Sequence, residues 1–477
     1  MLRTASIFLS LLALLAPAGN AAAAPRERTS TVAQRDLVNL TVYNAGTALV
    51  HDRRHVYLNE GLNRIAWRDV SAQIDPTTAL LESLGPMGGV SVTEQNFDYD
   101  LFNPGALLDK YIGRDVIVVH DPRFAGERET RETARVLSTN GGIVLQYRDR
   151  IETDLRGHIA FPVSSSNFRD RPTLVLDIQS ARAGAHTLDL SYLTSGLSWR
   201  ADYVGSLSSD EQHLSLTGLV TLSNTSGTSY ENARLQLVAG NVNVIQPQAL
   251  RTIAHVVAGT TADTYSVNSF SQENYFEYHL YTLSRPTTVL DKQTKQVSLL
   301  NARDIPVRKT LELRGSQSYY RNAQADLGDR LPVGVYVTFQ NSGGDLGIPL
   351  PGGIVRLYKG DSKNLSQFVG SDQIVHTPRN ETVRLHLGNS FDVTARKRQT
   401  DFQQQSCRAD SAYEITISNA KDIPQDVLVV ESIPGTWQIL AESMPHTKSS
   451  SSTATWTVNV PANSHTVLTY TARSSWC

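Results

Sequence analysis

Apolar and polar residues alternate with a period of two along most of this chain. Leu188, Leu190 and Tyr192 are separated by polar residues, as are Leu214 and Leu216, Val220 and Leu222, and Leu235 and Leu237. The pattern returns at Val333, Val335, Val337 and Phe339, at Val383, Leu385 and Leu387, at Tyr413, Ile415 and Ile417, and at Trp456, Val458 and Val460. Successive side chains of a strand point to opposite faces, so this period predicts half-buried strands. Clusters of Gly, Asn, Ser, Asp and Pro divide them. Many short strands so spaced predict a mainly β, multidomain chain of β-sandwich, immunoglobulin-like modules. Helix signals are sparse. Asn103 can cap a short helix, Pro104 suits its first position, and Gly113 can end it.

The same pattern suggests boundaries. Residues 36–113 read as an N-terminal β-rich domain with that helix. Residues 114–162 are a run of short strands with a hairpin turn at Asn140-Gly141-Gly142, which fits a small SH3-like β-barrel. Residues 170–245 begin a larger sandwich, and 246–273, polar and Ser/Thr-rich without a period, are expected to be a mobile loop. A mixed connector at 274–329 leads to a C-terminal sandwich region at 330–477. No fixed-period internal repeat is visible.

The first residues do not follow this pattern. Arg3, the apolar run Ile7–Leu15 and the small residues Ala21, Ala22 and Ala23 form a secretory signal peptide over 1–23, with cleavage expected after Ala22 or Ala23. The run is too short to span a bilayer, and no later stretch is continuously apolar over ~20 residues, so no transmembrane span is expected in the mature chain. The expected location is periplasmic or extracellular. The formal charge of −2 argues against a nucleic-acid partner. Two cysteines in an exported chain favour a Cys407–Cys477 disulfide.

The block YLTSGLSWRADY at 192–203, followed by LSNTSGTSYENARLQLVAG at 222–240, resembles an exported bacterial family known as domain of unknown function 4139. FEYHLYTL at 276–283, RPTTVLDKQTKQVSLL at 285–300, RKRQTDF at 396–402 and SAYEITISN at 411–419 extend the resemblance. VYNAGTALV at 42–50 and QNFDYDLFNPGALLDKYIGR at 95–114 look like the companion N-terminal region. The resemblance implies a β-sandwich C-terminal region, export and, from relatives described as mucoidy inhibitor-like, an association with the envelope. It carries no catalytic residues to transfer. The two cysteines depart from its usual pattern.

Motifs for hydrolysis, acyl transfer, phosphate binding and redox chemistry (HExxH, GxSxG, SxxK, a Walker A loop, CxxC) are missing from the sequence. His51 and His55 are four apart in a strand-like context with no third ligand nearby, so no metal site is expected there, and no cofactor is implied. Three groups remain. Trp199 lies on the opposite strand face from Arg200 and Asp202, which predicts a core Trp with an external ion pair; the competing reading makes Trp199 a stacking platform for a sugar or peptide. Glu277 and His279, two apart on a presumed strand, could form a polar or acid–base pair. Asp98 and Asp100 share a face, as do carboxylates that serve glycoside hydrolysis or Ca²⁺ binding. The run Arg396-Lys397-Arg398 reads as a solvated or ion-paired face. The preferred function is therefore non-catalytic: a binding or scaffold protein for an envelope protein or polysaccharide. The alternative is a hydrolase of an envelope polymer acting through paired carboxylates.

Overall fold

The computed structural model describes residues 25–85, 88–98, 104–120, 128–155, 157–162, 169–240, 270–324 and 327–476. Within them strands dominate, with one α-helix, Pro104–Lys110, and three short 3-10 turns. The described residues divide into two compact units.

The first unit takes the chain up to residue 36, with 53–70 and 80–190. It contains a four-stranded sheet in the order Arg28–Ser30, Gly61–Arg68, Thr173–Ser180, Val90–Asp98. Thr173–Ser180 is an inner strand, and its first six residues are all buried. That unbroken burial is what a strand covered on both faces requires. The unit also contains a five-stranded antiparallel sheet in the order Ile151–Glu152, Val144–Gln146, Thr130–Ser138, Asp115–His120, His158–Ala160. Its core holds Tyr111, Val116, Val118, Val136, Leu145 and Tyr147, and Leu107 and Leu108 of the helix pack on it. The SH3-like barrel expected here is not closed. The edge strands are only two and three residues long, and each bonds to a single neighbour. Asn103, the expected helix cap, lies outside the described residues.

The second unit takes 37–52, 71–79 and everything from 191 onward. Residues 37–52 enter it because Asn39–Tyr43 pair in parallel with Arg234–Val238. One sheet has the order Gln293–Pro306, His213–Asn224, Leu197–Leu207, Gly353–Gly360, Ser366–Ile374. The strand Gly353–Gly360 lies parallel to Leu197–Leu207, so the region beyond 330 completes the sheet begun near 197. Gly196 makes this possible at the other end. It has φ +81° between two strands, and a Cβ there would lie 2.9 Å from the Ser226 backbone. The expected connector at 274–329 is mostly strand. Of the loop expected at 246–273, only 270–273 are described, and they belong to the strand Phe270–Tyr275.

Tyr230–Ala239, Phe270–Tyr275 and Tyr278–Leu283 belong to a further sheet. A nine-stranded sheet has the order Thr436–Glu442, Ser464–Ser475, Arg408–Asn419, Thr382–Gln405, Leu331–Gln340, Arg308–Arg314, Gln425–Ser432, Thr453–Val460, Thr447–Ser450. Trp456 and Tyr470 stand far apart in that order, yet their rings stack at 4.7 Å. The sheet therefore folds back on itself into a sandwich. Its core includes Ile415, Ile417, Leu468 and Ala472 from one layer and Val427, Val429, Trp456 and Val458 from the other.

One device recurs in this unit. Asn224, Asn341 and Asn419 each lie at or just past the end of a strand, after Thr, an apolar residue and a polar one, at TLSN, TFQN and TISN. All three are fully or almost fully buried. Each side-chain amide donates to three backbone carbonyls: Thr228, Val289 and Leu290; Ile348, Thr377 and Pro378; Ile423, Val460 and Pro461. Their side-chain carbonyls accept from the nearby N–H groups of Ser226, Gly347 and Lys421. One buried side chain thus ties together carbonyls from separate segments of the chain. The uneven spacing hides this repeat from a search for a fixed period.

Candidate functional site

The five-stranded sheet of the second unit has one face in the core and one in solvent. Leu197, Trp199, Ala201 and Tyr203 point inward, and Trp199 is 4% exposed. The Trp199 ring meets Tyr281 edge-on at 6.5 Å. Tyr203 and Tyr281 donate from their hydroxyls to the carbonyls of Pro351 and Pro349, both at 2.8 Å. Burial pushes both phenols well above their ordinary range, with Tyr281's proximity adding to the effect at Tyr203.

The outer face carries Arg200, Asp202, Val204 and Ser206, beside Ile354, Arg356 and Tyr358 of the parallel neighbour. Asp202 organises a polar row across four strands. Arg200 Nε and Arg356 donate to its carboxylate at 3.0 Å each, and Thr221 Oγ1 at 2.7 Å. Gln296 in turn donates to Thr221 Oγ1 at 3.1 Å. Burial alone would raise the Asp202 pKa. The hydrogen bonds from Thr221 and Arg356, with the charges of Arg200 and Arg356, outweigh it and hold the carboxyl below its usual range. At the sheet edge Tyr358 and Phe368 form a T-shaped pair at 5.6 Å, with Phe368 57% exposed. Val204 and Ile354 are also exposed on this face. A flat face with a central row of donors and hydroxyls and aromatics at one edge suits an extended ligand rather than a compact one.

The sequence-derived candidates separate accordingly. Arg200 and Asp202 lie together on this face. Trp199 does not; it is a core side chain, and the stacking-platform reading fails because its ring is covered by the opposing layer. The pairing of Glu277 with His279 also fails. Tyr275 pairs with Tyr278, so Phe276 and Glu277 form the hairpin turn, Phe276 having φ +56°. Glu277 is exposed there, and His279 Nδ1 lies 3.0 Å from the Gln272 side-chain nitrogen. Asp98 is paired with Arg169 at 2.9 Å, in a network that Glu27 joins at 2.7 Å; Asp100 lies outside the described residues. Among the described residues no group of three or more His, Cys, Asp or Glu could hold a metal ion. Cys477 also lies outside them, while Trp476 N–H donates to the Cys407 carbonyl at 3.0 Å.

The run at 396–398 holds a residue that the sequence reading misplaced. Arg396 and Arg398 form surface pairs with Asp329 at 2.7 Å and Glu414 at 2.9 Å. Lys397, between them, is 1% exposed and bonds to the fully buried Glu431 at 2.7 Å. The signal was present: Val393, Ala395 and Lys397 share the parity that faces the core.

The sequence model of the family described as domain of unknown function (DUF4139) matches residues 188–477, which includes the whole outer face described above. No curated protein matches the chain. No helix of the described residues is long and apolar enough to cross a membrane.

Proposed function

We propose that this chain, which belongs to the DUF4139 family, is an exported, non-catalytic binding or scaffold protein of the cell envelope. Its ligand is an extended envelope polysaccharide lying along the outer face of the five-stranded sheet. The observation that supports this most is the row Arg356–Asp202–Thr221–Gln296, with the exposed Phe368 and its partner Tyr358 beside it. Hydroxyl and guanidinium groups meet sugar hydroxyls and acidic substituents, and an exposed ring offers an apolar face for a pyranose. The carboxylate at the centre is already saturated by three donors, which suits positioning rather than proton transfer. The apolar run and small residues of 1–23 support export.

The test is affinity electrophoresis through gels containing envelope polysaccharide. The native protein should be retarded, and Phe368→Ala and Arg200→Ala should each weaken retardation by roughly tenfold in affinity. Both side chains are exposed, so unchanged thermal unfolding is expected alongside. Native-like retardation of both variants would remove this face as the binding surface.

A further inference from the structure

The buried Lys397 and Glu431 are more than an ion pair in shape. Lys397 enters the C-terminal sandwich from Thr382–Gln405, and Glu431 enters from Gln425–Ser432 in the facing layer. Lys397 Nζ lies 2.7 Å from Glu431 Oε1 and donates to the Tyr470 hydroxyl at 3.2 Å. The Tyr320 hydroxyl donates to Oε2 at 2.9 Å and lies 2.8 Å from that of Tyr470. The rings of Tyr413 and Tyr319 close over Nζ at 4.5 and 4.8 Å. Gly315 lets the backbone lie against the carboxylate; a Cβ there would sit 2.0 Å from Oε2. Tyr320 and Glu431 are 0% exposed, and Tyr470 is 2% exposed.

We propose that Lys397 and Glu431 condense spontaneously into a side-chain amide, an isopeptide bond that joins the two layers of the sandwich. The contact at Oε1 leaves Nζ roughly 3.5 Å from the carboxyl carbon, within reach for attack. Proton transfer within the pair gives an amine and a carboxylic acid. Nζ then attacks Cδ, the bond from Cδ to Oε1 breaks, and Oε1 leaves as water with one proton from the acid and one from the amine. No electrons are exchanged and no co-reactant is needed. Tyr320 is placed to stabilise the charge that develops on Oε2, and Tyr470, bonded to both Nζ and Tyr320, can pass the proton. Burial lowers the Lys397 pKa against the opposing pull of the Glu431 charge, which favours the nucleophilic amine. Burial, with the Glu431 charge, keeps the Tyr320 and Tyr470 hydroxyls protonated. Condensation replaces two buried charges by one neutral amide, and the aromatic walls exclude the water that would reverse it.

The experiment is mass spectrometry of the purified full chain, reduced and denatured. The expected result is a mass one water below that of the processed sequence, no tryptic cleavage after Lys397, and a branched peptide joining the fragments of Lys397 and Glu431. Lys397→Met should restore the full mass. A native protein at its full mass, giving only linear peptides and cutting normally after Lys397, would overturn the proposal. The decisive reading is on the native chain, so it stands even where the variant does not fold. It is also independent of any polysaccharide.

Discussion

Asp202 sits at the sheet surface but behaves as a buried group. Its side chain is 7% exposed and accepts from Arg200, Arg356 and Thr221. Its folded pKa is depressed, so its contribution to stability is complete above the unfolded carboxyl value and is lost as pH falls through the folded one. Asp202→Asn should therefore flatten the acid limb of a plot of denaturation midpoint against pH, and Asp202→Ala should cost about 2 kcal/mol at neutral pH. An acid limb as steep in Asp202→Asn as in the native protein would assign the dependence to other groups. Trp199 gives a second expectation. Its indole N–H has no hydrogen-bond partner among the described residues, so what it contributes there is volume. Trp199→Ala should cost about 4 kcal/mol through the cavity it leaves, and Trp199→Phe well under half of that, both read from urea unfolding. The division of Trp199 from Arg200 and Asp202 was legible from strand parity alone. The burial of Lys397 was legible by the same rule but masked by the charges on either side. Its partner Glu431 was not legible, because alternation gives a residue its face and not its neighbour across the core.

At the scale of strands and turns, the buried asparagines do most to fix loop geometry. Asn419 points its amide at the carbonyls of Ile423, Val460 and Pro461. Asn419→Asp turns that donor into an acceptor facing three acceptors, and should cost about 3 kcal/mol at neutral pH. The penalty should shrink in acid, where the carboxyl regains a proton to donate; thermal unfolding at the two pH values measures the difference. A penalty independent of pH would mean that the loops relax away from the side chain. Gly353 is a different kind of constraint. A Cβ there would fall 2.2 Å from the Ala201 carbonyl oxygen, in the parallel pairing itself, so Gly353→Ala should lower the unfolding temperature by several degrees. Which segments are strands was largely readable from the period of two. The hairpin at Phe276-Glu277 was not, because its first residue takes a left-handed conformation without being Gly or Asn, the residues that usually announce one. The parallel partner of Leu197–Leu207 was also hidden, since more than a hundred residues separate it from Gly353–Gly360 and nothing local specifies the register.

At the scale of the whole chain, the all-β character followed from alternation, while the partition did not. Residues 37–52 and 71–79 join the second unit through pairings with strands far along the sequence, which composition does not reveal. The small segment at 114–162 had the hairpins of a barrel but not the edge-strand length to close one. The expected Cys407–Cys477 disulfide falls on a residue outside those described. The unfolded, unreduced protein should show no free thiol, and reduction should cost about 4 kcal/mol for a loop of 477 − 407 = 70 residues. Two titratable thiols in freshly purified protein would end that expectation. The order of the nine-stranded sheet bears, finally, on timing. Ser464–Ser475, the last of its strands to be synthesised, is not at an edge but lies between Thr436–Glu442 and Arg408–Asn419. Without that segment Thr436–Glu442 has no strand to pair with and Arg408–Asn419 is paired on one side only, so the C-terminal sandwich cannot close. Closure of that sandwich is therefore tied to the strand that is made last among its nine, and not to the pairing of its earlier strands.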